Sequence, residues 1–243
     1  MNILSNAVPQ WVSILFLTSM LVSIFMIANV AKQGTNNAAE GKKVLGIVMG
    51  FYLLYFVYVG VMSFTGIFQE VTLPPKIFIF TAIPLFIFLN LISKTASVKS
   101  IIDSIPLKSM VLLHTFRFIG VFFLITNAYG AIPTKFAYIA GIGDISTAIL
   151  SIFVASAISN QKVYAQKLTF FWNIFGLLDI LSVIVSAIVA TKHSIDTGSS
   201  NDIIEIVTFP FSLIPAFAPA TIVFLHICIF KKLKQKRAEI VNV

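Results

Sequence analysis

The sequence contains few charged residues and a single cysteine. Only 11% of its 243 residues are charged, and Cys228 stands alone. A lone cysteine excludes an intramolecular disulfide, and no CxxC pair or Cys/His cluster is present to suggest zinc or an iron–sulfur centre. GxSxG, HExxH, P-loop and dinucleotide-binding motifs are also missing. The residues therefore predict no metal site and no recognised catalytic motif, and they leave open whether the protein is an enzyme.

Apolar residues are abundant instead. The chain is 58% hydrophobic with 24 phenylalanines, and its mean hydropathy is +0.98. A soluble domain of this length cannot bury so much apolar surface, whereas lipid accepts it. About 20 helical residues cross a bilayer, and seven runs meet or approach that length. The predicted spans are residues 10–31, 44–66, 76–93, 107–127, 133–159, 165–190 and 206–230.

Short polar connectors join these spans, so the sequence predicts an all-α polytopic membrane protein. Its expected domains are a single transmembrane unit at 1–230 and a basic cytoplasmic tail at 231–243. If the N-terminus lies outside, 13 of the 17 Lys and Arg residues fall in cytoplasmic segments and three fall outside, with Arg117 within the membrane. This bias follows the positive-inside rule and predicts a cytoplasmic C-terminus.

Five of the 17 basic residues lie in that tail, which indicates contact with anionic lipid and no nucleic-acid partner. We expect a multi-pass protein of the cell membrane, either an inner or a plasma membrane, whose partners are the lipid bilayer and a small solute or proton. The sequence leaves the oligomeric state open.

Three ionisable residues interrupt the apolar runs near the middle of their spans: Arg117, Asp144 and Asp179. A charge at the bilayer centre costs about 2.5–3.5 kcal/mol even on lenient insertion scales. The sequence therefore predicts that Arg117 faces the bundle interior and pairs with one or both aspartates. One arginine against two aspartates leaves a surplus negative charge, which favours a functional interpretation over a purely structural one.

Small and polar residues surround these charges at helical spacing. Asp144 lies in a seam that lets helices approach closely, formed by Ala137, Gly141, Asp144, Ala148, Ser151 and Ala155. Asn173 lies on a similar strip with Asp179, beside Trp172. The predicted substrate or proton site therefore comprises Arg117, Asp144, Asp179, Asn173 and Trp172.

Two histidines and three prolines complete the candidate set. His114 and His226 occupy matched depths on different spans, where they could relay protons or ligate a b-type haem. The cofactor is otherwise unknown. Pro210, Pro215 and Pro219 lie in the last span and predict a kink or break there, because each removes a backbone N–H.

Four patterns occur together between residues 107 and 230: R-x2-G, G-x-G-D, W-N-x2-G-x2-D and P-x4-P-x3-P…H. Taken together they resemble a small uncharacterised bacterial family of polytopic membrane proteins. The resemblance implies seven helices and no particular chemistry.

The leading hypothesis is an integral membrane transporter or proton or ion pathway with a buried Arg–Asp–Asp site. A redox protein that binds haem or another cofactor through the two histidines is one alternative. A non-catalytic receptor or membrane subunit, whose buried charges only hold helices together, is the other.

Overall fold

The computed structural model describes residues 7–198 and 203–241, with side chains up to residue 235. These residues form helices and contain no strand, so the all-α class is confirmed. The α-helices are α1 (Gln10–Lys32), α2 (Ala38–Phe64), α3 (Ile83–Ile92), α4 (Ala96–Ser104), α5 (Leu107–Leu113), α6 (Val121–Ala128), α7 (Thr134–Ser159), α8 (Ala165–Thr197) and α9 (Leu213–Val241). A π-helical turn, Phe78–Ala82, leads into α3, and a 3₁₀ segment, His114–Gly120, joins α5 to α6.

Six of the described helices, counting Leu107–Ala128 as one, are long and apolar enough to cross a membrane. A seventh candidate is the pair Phe78–Ile92 and Ala96–Ser104, which bends by 90° between its two parts. The second part of the pair, α4, was predicted as a polar connector. It forms a short helix that buries none of its residues, and a nine-residue helix of that kind leaves no signal in a hydropathy profile.

Side-chain hydrogen bonds near the ends of the helices define two ends of the bundle. At one end Ser109 donates to Gln33, and Lys108 donates to Ser159 at 2.9 Å. At the other end Gln69 donates to Thr208 at 3.2 Å. We call the first the basic end, because most lysines lie there, and the second the opposite end. Successive long helices run from one end to the other.

Large apolar side chains cover the outside of the bundle. Leu54, Val57 and Phe153 are each more than 60% exposed, and exposure on this scale is typical of a surface that faces lipid. In α7 the predicted small-residue seam is buried over its whole length, whereas Ile142, Ile149 and Ile152 on the other face are exposed. The predicted helix-contact face of α7 is therefore buried, and the opposite face lies on the outside of the bundle.

Proline-containing helices are stabilised by tyrosines from α2. Pro84 has no N–H and so leaves the carbonyl of Phe80, four residues earlier, without its helical partner. The hydroxyl of Tyr58 donates to that carbonyl at 3.0 Å. Tyr55 donates to the carbonyl of Ala216 in α9, three residues before Pro219, at 2.9 Å. These bonds fix α2 against α3 and α9.

The three prolines of the last span do not break it. Pro210 lies in the turn that precedes α9, and Pro215 lies in the first turn of α9, where a missing N–H costs nothing. Only Pro219 lies in the helix interior, and α9 is continuous from Leu213 to Val241. The helix therefore has no break between Pro215 and Pro219, because it starts later than the apolar run does, and a kink at Pro219 stays a prediction.

Two other helix ends differ from those predicted from the sequence. α8 continues to Thr197, beyond the predicted end at residue 190. The predicted tail at 231–243 continues α9 as a helix to Val241. Its last two residues, and the side chains from residue 236 onward, lie outside the described part of the chain, as do residues 199–202 of the predicted outer connector.

Candidate site at the centre of the bundle

Arg117 is completely buried and lies at the centre of a polar network. Its Nε donates to Asp144 Oδ1 at 2.7 Å, and its Nη2 donates to Asp179 Oδ2. Its Nη1 donates to the carbonyl of Gly176 at 3.0 Å. The aspartate side chains are 5% and 7% exposed. The guanidinium thus joins α7 to α8, as a planar fork of five N–H donors can.

His226 extends the network toward α9. Asn173 Nδ2 donates to the backbone carbonyl of His226 at 3.0 Å, which leaves Asn173 Oδ1 to accept from His226 Nδ1 at 2.8 Å. A neutral imidazole that donates through Nδ1 has an acceptor at Nε2. That acceptor faces Arg117 Nη1 at 3.4 Å. Asn173 therefore sets the tautomer in which His226 can accept from Arg117.

The residues around Arg117 form a 3₁₀ helix instead of the continuous α-helix predicted for 107–127. A 3₁₀ helix has three residues per turn, so residues three apart are aligned on one face. His114, Arg117 and Gly120 have this spacing, and all three are buried. A run of seven residues is long for a 3₁₀ helix, and such a segment within a helix often marks a hinge.

His114 lies against His226, with ring centroids 4.4 Å apart, and edge-on to Trp172 at 5.1 Å. Neither of its ring nitrogens has a hydrogen-bond partner among the described residues, and the same is true of Thr147 Oγ1. The Trp172 indole donates to the backbone carbonyl of Thr147 at 3.1 Å. Buried nitrogens and hydroxyls of this kind are normally satisfied by water.

The contact between the two imidazoles does not fit a shared haem iron. Metal–imidazole bonds of about 2.0–2.1 Å would place two ring centroids on opposite sides of an iron roughly 6 Å apart. The observed 4.4 Å leaves no room for iron and porphyrin between the rings. The geometry therefore disfavours the haem-binding alternative.

Glycines create the space for the charged side chains. A Cβ at Gly120 would lie 2.5 Å from Asp144 Cβ, and one at Gly143 would lie 1.7 Å from Asp179 Oδ1. A Cβ at Gly176 would lie 2.7 Å from His226 Cε1. All three distances are shorter than van der Waals contact. The glycines in R-x2-G, G-x-G-D and W-N-x2-G-x2-D thus allow the helices to approach closely enough for the network to form.

A cleft leads from the opposite end of the bundle to this network. It lies between α6, α7, α8 and α9, and about 40 Å³ within it is wide enough for the centre of a water molecule, so the cleft is narrow. Glu70 lies at its mouth and Asp144 at its base. Its walls are almost entirely apolar and include Phe78, Phe123, Phe136, Ile180, Ala187 and Ala218.

The structure places the predicted site residues in two groups. Arg117 contacts Asp144, Asp179 and His226. Asn173 and Trp172 lie beside the histidines, and their side chains bond His226 and the carbonyl of Thr147. Pro215 and Pro219 line the cleft, and Pro210 does not. Sequence reasoning did not assign the roles of Gly120, Gly143 and Gly176, although each stands within a recognised pattern near a site residue.

Comparison with known proteins identified one family. Residues 74–234, which include every member of the polar network, match the family described as Domain of unknown function (DUF8737). Neither the curated proteins nor the solved structures gave a match. The match covers about two thirds of the chain, which agrees with the predicted resemblance to a family of uncharacterised activity. The chain therefore belongs to the DUF8737 family, which is described as a domain of unknown function.

Proposed function

We propose that this protein is a multi-pass membrane transport protein in which Arg117, Asp144 and Asp179 form the central proton or solute site. The observation that carries the proposal is the position of Asp144. Its carboxylate is bound by Arg117 and also lines a cleft that opens at the opposite end of the bundle. A buried ionisable group that a ligand can reach is the usual basis of a transport pathway through a membrane.

The proposed threading has seven spans, with the bent pair Phe78–Ile92 and Ala96–Ser104 providing the third. The basic end would face the cytoplasm, and the cleft would open to the outside. The positions of the lysines support this orientation, because positive residues are retained on the cytoplasmic side. At the opposite end only Lys76, Lys135 and Lys192 are present.

Cysteine accessibility tests the orientation. Thr197→Cys, at the end of α8, should react with a membrane-impermeant maleimide in intact cells, and Gln235→Cys, near the end of α9, should react only after permeabilisation. The Cys228→Ser background removes the native thiol, which is already buried. Labelling of Gln235→Cys in intact cells would reverse the proposed orientation.

The side of the network that faces the basic end is closed. A second apolar cluster fills the bundle there, formed by Ile105, Leu107, Met110, Val111, Val154, Ala155, Trp172 and Ile229. The described conformation would therefore give the site access from the cleft alone. Release toward the cytoplasm requires this cluster to separate, and the 3₁₀ segment that carries Arg117 is a suitable hinge for such a movement.

Binding at Asp144 would change how Arg117 is held. A proton or a solute on Asp144 weakens its attraction to the guanidinium, while the contacts of Arg117 with Asp179 and the carbonyl of Gly176 persist. His226 Nε2 already faces Arg117, and His114 stacks on His226. The two imidazoles, together with water at the unsatisfied nitrogens of His114, would continue the path toward the basic end.

Proton flux in proteoliposomes tests this function. We expect a pH dye trapped inside vesicles to report proton entry when a pH gradient and valinomycin are applied to the wild-type protein. Asp144→Asn should abolish the flux, because an amide neither binds nor releases a proton at this position. Asp196→Asn changes the same functional group on the exposed end of α8 and should leave the flux unchanged.

The opposite result would favour a different class of protein. Wild-type vesicles that conduct no better than empty vesicles, or Asp144→Asn vesicles that conduct like the wild type, would contradict the proposal. The buried charges would then hold helices together in a receptor or membrane subunit.

A further inference from the structure

The polar network carries one surplus negative charge. Arg117 contributes one positive charge, and Asp144 and Asp179 contribute one negative charge each. His226 takes part as a neutral acceptor, because its Nδ1 is bound to Asn173 Oδ1 and its Nε2 faces the guanidinium. The network is therefore complementary to one additional positive charge.

One carboxylate oxygen of the network, Asp144 Oδ2, can accept a further hydrogen bond, and Asp144 lines the cleft. Asp144 Oδ1 accepts from Arg117 Nε, and no described residue donates a hydrogen bond to Asp144 Oδ2. The residue is only 4% exposed, yet it lines the base of the cleft. Oδ2 is not among the fully buried atoms that lack a partner, so it keeps some exposure. A cationic N–H donor arriving through the cleft could therefore reach it and form a charge-assisted hydrogen bond.

The walls of the cleft limit what such a cation can be. Apart from Asp144, the polar lining residues are Glu70 at the mouth and Thr191. A hydrated metal ion would find no oxygen ligands along these walls to replace its water. An apolar chain would instead bury its surface there, with a gain of roughly 25 cal/mol for each Å² removed from water.

Aromatic rings in the wall favour the passage of a positive charge along the cleft. Phe123 and Phe136 line the cleft with their ring centroids 5.8 Å apart. An ammonium beside such rings gains cation–π attraction, which strengthens when the site excludes water. The lining along α8 runs from Ile180 to Thr191, a length of about 16 Å at the helical rise per residue. The cleft is therefore long and narrow.

We infer that the cleft binds a monovalent lipophilic ammonium, with its N–H group on Asp144 Oδ2 and its apolar chain extended toward Glu70. This ligand class rests on the proposed function, since it names the solute that the same site transports. The carboxylate supplies selectivity for charge, and the apolar walls supply affinity for the chain.

Three probes with the same chain and different head groups test the inference. Decylammonium, decanol and decanoate are added to the purified full-length protein in detergent at one fixed pH, and binding is measured from the shift in Tm over a concentration series. We expect decylammonium to bind at least about tenfold more tightly than decanol, because only the ammonium can donate a charge-assisted hydrogen bond to Asp144 in this dry site. Decanoate should bind most weakly.

Two variants and one control locate the site. Asp144→Asn should abolish the advantage of decylammonium over decanol, whereas Asp196→Asn should retain it. Ala187→Phe places a ring in the wall of the cleft and should weaken decylammonium and decanol alike, and it keeps the inference testable if Asp144→Asn does not fold. Equal binding of decylammonium and decanol to the wild type would overturn the inference. So would an unchanged preference in Asp144→Asn, or undiminished binding of both probes to Ala187→Phe.

The assay measures binding without transport, so the ligand class and the transport function can be refuted independently of each other. Proton flux without a preference for decylammonium would refute the ligand class and keep the transport proposal. A preference for decylammonium that depends on Asp144, without any flux, would identify a binding protein and refute transport.

Discussion

Arg117→Ala is expected to lower the free energy of unfolding by about 3–5 kcal/mol, the range for removing one partner of a buried ion pair. The substitution leaves two carboxylates, 5% and 7% exposed, without their counter-ion. It also removes the donor to the carbonyl of Gly176 and to His226 Nε2. Unfolding in detergent, followed by circular dichroism during a titration with sodium dodecyl sulfate, measures the loss.

A compensating variant separates charge from volume. Arg117→Met combined with Asp144→Asn and Asp179→Asn removes all three charges while it keeps most of the side-chain volume, and it should recover part of the lost stability. Lys108→Ala is the control, since it removes an exposed cation that donates to Ser159 and should change stability by no more than about 0.5 kcal/mol. If Arg117→Ala were no more destabilising than Lys108→Ala, the network would not be a major support of the fold.

Gly120→Ala is also expected to be strongly destabilising. Its Cβ would lie 2.5 Å from Asp144 Cβ, an atom attached directly to the backbone of α7. Relief requires the 3₁₀ segment and α7 to separate, and overpacking of this kind costs about 1–3 kcal/mol. The increased separation would also lengthen the bond from Arg117 to Asp144, so proton flux should fall together with stability.

Two glycines in α2 provide the control for this prediction. A Cβ at Gly46 or Gly50 would meet no atom within 4 Å. Gly46→Ala and Gly50→Ala should therefore leave stability unchanged or raise it slightly, because alanine has the higher helix propensity. The same titration and flux measurements apply. A Gly120→Ala variant as stable and active as Gly46→Ala would show that close approach at Gly120 is unimportant.

Composition and charge alone were sufficient to predict much of this architecture. A hydropathy profile located the long helices, because burying a helix in lipid depends on the sum of its apolar residues. The cost of an unpaired charge in that environment predicted that Arg117 would face Asp144 or Asp179. Helical periodicity predicted the buried face of α7, since residues three and four apart share one side of a helix.

Local geometry could not be derived in this way. The 3₁₀ segment at His114–Gly120 lies within a run whose composition suits an α-helix, and it packs against α7. The start of α9 at Leu213 likewise depends on the turn before it and not on hydropathy. For the same reason the sequence predicts a connector where α4 forms, and it predicts a kink or break at the prolines of the last span.

The composition of the chain determined that it forms apolar helices carrying three internal charges, because the cost of exposing or burying a group is a property of the group itself. Only the tertiary structure decided which atoms of Arg117 bind each carboxylate and which glycines make room for these side chains. It also decided that Asn173 fixes the tautomer of His226 and that a cleft reaches Asp144. Each of these contacts joins residues that are distant in the chain. Their distances depend on how whole helices fit together, and that fit is settled by the shapes of all the surfaces at once.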